Sequence, residues 1–306
     1  MIETDFERYI AARYPQARLS ALSRTNNLVL LVDSGASRQV AKLVHDSDIP
    51  IHYLRVCNET LCRYLPTQRI TEAGLMSEGV PFDYLMAEYI EGVDLVTAAS
   101  RSQLPPDRLA SFLEEFRRAC SHIAPLSSGF GLFRRQSSLF ADHASFIREH
   151  ARKYWGRVRN FITDESTRRW LDGWVDIDPP DRLFPSSTGS VVPVDANLKN
   201  YIAGVDGRLW VLNVPILGRS SAAHGIGAIS AHLRHSAAYR LFLASVLSAP
   251  STVTEFAVRY YELWTLMGIA SFWSKKDPGQ PRSWRNWGSP APLLEDIHDL
   301  VAGLRA

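Results

Sequence analysis

The stretch VVPVDANLKNYIAGVDGRLWVLNV, residues 191–214, decides how the rest of the chain is read. An apolar run, VVPV, ends at Asp195, and the loop sequence DANLKN carries the chain to Asn200. Two more strand-like runs, NYIAGV and RLWVLNV, flank Asp206-Gly207, a dipeptide suited to a tight hairpin turn. Asn213 closes the last run. The pattern predicts short strands with Asp195, Lys199, Asn200 and Asn213 in the connecting loop and at strand ends, where polar side chains can serve a binding site.

Working outward, residues 28–32 (LVLLV) and the segment RQVAKLV read as strands joined by Asp33-Ser34-Gly35, again hairpin chemistry. Residues 3–14 suit a short amphipathic helix. Residues 51–65 repeat at helical spacing, with Leu54, Cys57, Leu61 and Leu65 on one face. Further strands are expected around 75–76 and 84–89. Helical periodicity then dominates at 106–124, at 141–163 and from about Ile226 onward, and the Pro-rich segment DIDPPDRLFP separates elements. The expected class is α+β in two lobes. Residues 1–90 form a small lobe built on an antiparallel sheet. Residues 91–306 form a larger, mainly helical lobe that includes a catalytic-loop hairpin at 191–214.

Composition narrows the function classes. The 306 residues are 46% hydrophobic and 22% charged, enough for a substantial core. The net charge of +2, from 34 basic and 32 acidic side chains, gives no electrostatic footprint for nucleic acid. Cys57, Cys62 and Cys120 have neither the spacing of a zinc site nor the even number of a disulfide framework, which fits a reducing cytoplasm. The opening MIETDFERYI is unlike a signal peptide. The most apolar stretch, 257–273, is interrupted by Arg259 and Glu262 and reads as a core helix rather than a membrane span.

An aspartate and an asparagine in a strand-flanked D-x-x-x-x-N loop can act together. The acid orients or deprotonates an attacking hydroxyl, and the amide oxygen holds a metal ion. With this loop in place, the chain resembles the aminoglycoside phosphotransferase and choline kinase-like family over most of its length. LSRTNNLVLLVD resembles the nucleotide-covering hairpin, Lys42 falls at the phosphate-pairing lysine, and Glu59 falls at the glutamate that pairs it. DYLMAEYIEGVDL resembles the hinge strand, with Glu88 to Ile90 offering backbone groups to adenine. PLSSGFG at 125–131 resembles a loop that follows the first long helix of the second lobe. The resemblance implies a kinase-like fold, an acceptor-activating role for Asp195, and metal binding by Asn200 and position 213.

The departures fall on the metal and phosphate machinery. Pro193-Val194-Asp195 stands where the family has H-G-D, and Asn213 stands where it has the metal aspartate. GRSSAAHGIG, which has no acid, replaces a segment with a further aspartate, and Arg24-Thr25-Asn26 replaces phosphate-loop glycines. Magnesium is a hard cation that prefers anionic oxygen ligands, and losing one such electrostatic contact costs on the order of 3–4 kcal/mol in the transition state. The expected function is therefore a degenerate-kinase enzyme without Mg-ATP phosphoryl transfer. It would act by dehydration, conjugate addition or cyclisation on a hydroxylated intermediate of natural-product biosynthesis. Asp195 is the base, Lys199, Asn200, Asn213 and His224 assist it, and no cofactor is needed.

Two alternatives stay open. One is an ATP-dependent small-molecule O-phosphotransferase, with Lys42, Glu59, Glu88 and Ile90 binding nucleotide and Asn200 and Asn213 holding magnesium. The other is a non-catalytic pseudokinase in which Asp195 is dispensable. Individual residues also have simpler readings. DANLKN suits an Asx turn, and His224 suits a helix start or packing position. Trp273, Trp284 and Trp287, in a loop at 273–290, line a substrate pocket or clamp the second lobe. The expected partner is a small molecule, with neither nucleic acid nor membrane involved.

Overall fold

The computed structural model describes residues 2–23, 28–44, 49–133, 139–180, 189–212, 217–248, 253–276 and 293–305. Asn213, Trp284, Trp287 and the Arg24-Thr25-Asn26 segment lie outside the described residues. Along the chain run α1 (Ile2–Arg13), β1 (Arg18–Ser23), β2 (Val29–Asp33), β3 (Arg38–Leu43), α2 (Ile51–Leu61), β4 (Ile70–Gly74), β5 (Tyr84–Glu88) and β6 (Gly92–Asp94). Then come α3 (Leu95–Ser100), α4 (Pro106–Ser121), β7 (Gly131–Leu132), α5 (His143–Val158), α6 (Glu165–Trp174), β8 (Ser190–Pro193), β9 (Tyr201–Gly204), β10 (Leu209–Val211) and β11 (Leu217–Ser220). The chain ends with α7 (Ala222–Leu233), α8 (Ala238–Ser248), α9 (Glu255–Lys276) and α10 (Leu293–Arg305). Two compact units emerge, Met1–Val93 with Asn200–Val214, and Asp94–Lys199 with Pro215–Ala306.

The first unit is built on an antiparallel sheet in the order β1-β2-β3-β5-β4. The predicted hairpin joins β2 to β3. Gly35 takes φ 78°, open to glycine without strain, and its N–H donates to Asp33 Oδ1 at 2.8 Å. Alternation along β2 buries Leu30 and Val32 with Phe6 and Ile10 of α1 and Tyr84 of β5. The strand expected around 75–76 instead stops at Gly74, and the chain turns there, with the Met76 N–H donating to Asp83 Oδ1 at 2.7 Å and the Glu78 N–H to Leu75 O at 2.9 Å. Met76–Glu78 is a 3-10 turn closed by Gly79 at φ 84°.

The decisive stretch folds differently from the single hairpin expected at 191–214. β8 does not pair with β9. It pairs antiparallel with β11, Leu217 opposite Pro193 and Ser220 opposite Ser190, in a sheet ordered β7-β11-β8. The acid-free GRSSAAHGIG segment thus begins inside the buried strand Leu217–Ser220. β9 and β10 form their own hairpin, turning at Gly207 with φ 77°, and β9 joins β6. An isolated bridge from Thr67 to Val211 joins this hairpin to the rest of the first unit.

In the second unit α7 is apolar on every side and is buried along its length. It can approach its neighbours closely because of two glycines. A Cβ at Gly227 would lie 2.6 Å from Tyr261 Cβ and 2.8 Å from the Glu262 backbone nitrogen. Around this contact α5, α6, α9 and α10 build the core, with Phe146, Trp155, Trp174 and Trp264. Trp273 is not in a loop. The helical pattern of α9 continues through it, leaving it exposed on the helix surface. Among the described residues no helix is long and apolar enough to cross a membrane.

His224, expected as an acid or base, is a core residue. Its side chain is 0% exposed, stacked on Tyr261 at 4.9 Å and 17° and edge-on to Trp264 at 4.6 Å. Its Nδ1 meets Ser220 Oγ at 2.7 Å, and that same hydroxyl meets His143 Nε2 at 2.8 Å. The apolar face of α7 drew the imidazole inward with its neighbours, beyond the reach of solvent. Burial holds the ring neutral, well below the usual histidine range.

Two tests follow from this packing. Ala is a better helix former than Gly by about 1 kcal/mol, yet Gly227→Ala should destabilise the protein by about 1–3 kcal/mol because the clash is with backbone, read from urea unfolding midpoints. The second test is acid sensitivity. The unfolded chain takes up protons at His224 below about pH 6.5 while the folded chain does not, so stability falls as pH drops from 7 toward 5. His224→Phe should flatten that decline by about 1.4 kcal/mol per pH unit, measured by urea unfolding across this range.

Candidate active site

Asp195 stands two residues beyond the last residue of β8, where the strand paired with β11 delivers it to a loop. That loop is organised by consecutive side-chain turns. The Asn197 N–H donates to Asp195 Oδ1 at 3.2 Å, and the Lys199 N–H donates to Asn197 Oδ1 at 3.1 Å. Leu198 anchors the turn by complete burial. The Asx-turn reading therefore describes one carboxylate oxygen. The other, Oδ2, has no recorded partner among the described residues, and the side chain is 40% exposed. His232 Nε2, from the last turn of α7, lies 3.6 Å from Oδ1.

The structure brings His232, a buried residue outside the D-x-x-x-x-N motif, to Asp195. Its burial pushes the imidazole pKa down to about 4, opposed by the nearby Asp195 carboxylate, so the ring is neutral at pH 7. Lys199 is exposed. Asn200 is half-buried, and its carbonyl accepts from the Leu212 N–H at 2.8 Å, tying the start of β9 to the end of β10. That bond leads the chain toward position 213. Asn200 itself offers a neutral amide oxygen, with none of the charge that magnesium prefers.

The nucleotide-binding candidates of the first unit are only partly arranged as expected. Lys42 sits on β3 opposite Leu85 of β5 and Val29 of β2. Glu59 is exposed on α2, and the polar residue on the buried face of that helix is its neighbour Asn58. Asn58 Nδ2 donates to Gln68 O at 2.8 Å and its Oδ1 accepts from the Ile70 N–H at 3.0 Å, fastening α2 to β4. A helix has one inward face, and here Tyr53, Leu54, Cys57, Asn58 and Leu61 fill it. At the hinge, Glu88 donates its N–H to Arg69 O and accepts Gln68 Nε2 at 2.6 Å on its carbonyl. The Ile90 backbone groups have no recorded partner among the described residues.

A further residue, Arg219 of β11, is a buried cation of the second unit. Its Nε donates to Gly189 O at 3.2 Å, Nη1 donates to Ser128 O, and the guanidinium lies 4.7 Å over the Phe130 ring. It thereby joins the 125–131 loop to the strand that leads to Asp195. Planar guanidinium stacking with several carbonyl acceptors suits arginine and not lysine.

No protein-family profile and no curated protein matches the chain. Solved structures do. Aminoglycoside phosphotransferase APH(4)-Ia is similar with a TM-score of 0.64 at 17% identity, covering 98% of each chain. A thermostable mutant of the same enzyme, in a ternary complex with ADP and hygromycin B, gives 0.62 at 17% identity over 97% of each chain. Choline kinase LicA from Streptococcus pneumoniae gives 0.62 at 14% identity over 99% of each chain. With its sheet-based first unit and mainly helical second unit, the chain has the kinase-like fold of the aminoglycoside phosphotransferases and choline kinases.

Proposed function

We propose that this chain uses the kinase-like fold to activate a hydroxyl group of a small organic molecule, with Asp195 as the base, and that it does so without phosphoryl transfer from Mg-ATP. The observation that carries the reading is the Asp195 carboxylate, anchored through Oδ1 on a side chain that is 40% exposed, with no partner for Oδ2 among the described residues. A carboxylate held this way can take a proton from a hydroxyl or from a carbon next to a carbonyl. The exposed Lys199 ammonium, four residues further along the same loop, can stabilise the oxyanion that results. Dehydration, conjugate addition or cyclisation of a hydroxylated intermediate are reactions of this kind.

Support against phosphoryl transfer comes from the donor chemistry. Asn200 and Asn213 bring no charge to a metal, the strand Leu217–Ser220 is buried and carries no acid, and Glu59 faces solvent. This set is a poor fit to magnesium, and no step here is routed through it.

The ATP-dependent O-phosphotransferase is the second reading. It is favoured by the Ile90 backbone groups, which have no partner among the described residues, and by the similar structure solved with ADP and hygromycin B. In that case Asp195 would activate the acceptor hydroxyl in the same position. A pseudokinase binding module is the third, and it makes the Asp195 carboxylate dispensable.

One experiment divides the first two. The protein is mixed with Mg-ATP and hydroxylated acceptors, including hygromycin B and choline, and both thermal shift and ADP release are followed. The expected outcome is no shift in Tm with Mg-ATP and no acceptor-dependent ADP, with Asn213→Asp gaining a Mg-ATP-dependent rise in Tm. Robust acceptor-dependent ADP release by the wild type would establish the phosphotransferase instead. Separately, Asp195→Asn should keep the Tm within a few degrees while lowering turnover of the true substrate about 100-fold or more. Unchanged turnover in that variant would remove Asp195 from the chemistry.

A further inference from the structure

We propose that His232 is the positioning residue of Asp195, its Nε2–H donating to Oδ1 so that Oδ2 is left to meet the substrate hydroxyl. This rests on the reading of Asp195 as the base. It adds a residue that neither the sequence pattern nor the catalytic loop supplies, since the loop itself, PVDANLKN, contains no imidazole.

The placement follows from how α7 lies on β8. A Cβ at Gly225 would come within 3.0 Å of Val192 Cβ and 3.5 Å of Pro193 Cδ, so the helix rests directly against the strand at that point. His232 is seven residues further along α7. Two helical turns return it to the face that Gly225 presents to the strand, about 10 Å along the axis. Asp195 is two residues beyond Pro193, where β8 has ended and the chain continues in the DANLKN loop. The helix and the outgoing loop therefore meet again at His232 and Asp195, 3.6 Å apart. Glycine at 225 sets the distance, and the seven-residue spacing sets the direction.

The electrostatics suit a positioning role. His232 is 4% exposed, and desolvation keeps the ring neutral at pH 7, so it carries one N–H and no charge. A neutral donor orients the carboxylate without the full ion pair that would make it a weaker base. Both anchoring contacts, from the Asn197 N–H and from His232, fall on the same oxygen, Oδ1. The 3.6 Å separation exceeds the ~2.9 Å of a formed N–H···O bond. A small rotation of the Asp195 side chain closes it, which is how catalytic hydrogen bonds tighten when substrate arrives.

The test needs no substrate. Long-range proton–nitrogen NMR correlations of the nitrogen-15-labelled full chain at pH 7 report which ring nitrogen of His232 carries the proton. The expected result is the Nε2–H tautomer; an Nδ1–H ring, which leaves Nε2 as an acceptor, overturns the proposal. A second measurement follows the His232 ring nitrogens themselves. Asp195→Ala should move the Nε2 nitrogen and proton resonances, because the acceptor facing that nitrogen is gone. Asp195→Asn, which keeps an oxygen acceptor, should bring them back toward wild type. Ring resonances indifferent to Asp195→Ala sink the idea. Neither readout depends on turnover, so the positioning contact can fail while Asp195 remains the base. Conversely, an unaffected Asp195→Asn turnover removes the base and leaves the contact standing.

Discussion

Helix α7 touches more of the second unit's core than its length suggests, because two of its residues lack side chains where its neighbours come closest. Gly225 admits Val192 and Pro193 of β8, and Gly227 admits Tyr261 and Glu262 of α9. Each glycine costs an exposed helix about 1 kcal/mol relative to alanine. Close packing offsets this through the many dispersion contacts that a larger side chain would push apart. The strand side of this contact fixes where β8 ends and therefore where Asp195 stands. The helix side fixes where Tyr261 and Trp264 lie, and with them the buried His224 ring.

A buried polar network holds the other end of α7. Arg234, at its C-terminal cap, donates to Glu262 Oε1 and to Asp296 Oδ1, both at 2.9 Å, while His235 meets Asp296 Oδ2 at 2.8 Å. Glu262 also contacts the Tyr239 hydroxyl and Arg259. Glu262 is completely buried, where a carboxyl group without hydrogen-bond partners would be costly, and donors from three side chains surround it. The network ties α7, α8, α9 and α10 to a common register. It immobilises the helical turn that carries His232, so the position of a side chain at the candidate site depends on charges packed on another face of the same helix.

Much of the architecture was legible because local chemistry and tertiary packing agree. The β2–β3 hairpin was readable from Asp33-Ser34-Gly35, where an aspartate acceptor and a left-handed glycine leave little choice. The periodicity of α2, α4 and α5 marked real helices, since each has one apolar face to bury. Where periodicity was ambiguous, the reading slipped. Leu75 and Met76 look like strand residues, but the Asp83 side chain takes the Met76 N–H and the chain turns there. LGRS has too few residues to announce a strand, and its pairing with β8 depends on partners distant in sequence. At the site, Asp195 and Asn200 were visible as a spaced pair, whereas Glu59 was placed inward although the helix turns Asn58 there instead.

By itself, the sequence determined that an acid and an amide occupy a strand-flanked loop, that the neighbouring positions lack the anionic oxygens a magnesium ion prefers, and that a sheet-based part precedes a helical one. These are properties of residue type, spacing and periodicity, which exist before the chain folds. Only the tertiary structure decided which histidine stands beside Asp195. His224 and His232 lie on the same helix and look alike in sequence. One faces Tyr261 and Trp264 in the core, and the other, seven residues after the glycine that rests on β8, faces the carboxylate. The difference is one of direction around a helix, and direction acquires meaning only when the strand and helices on each side are in place.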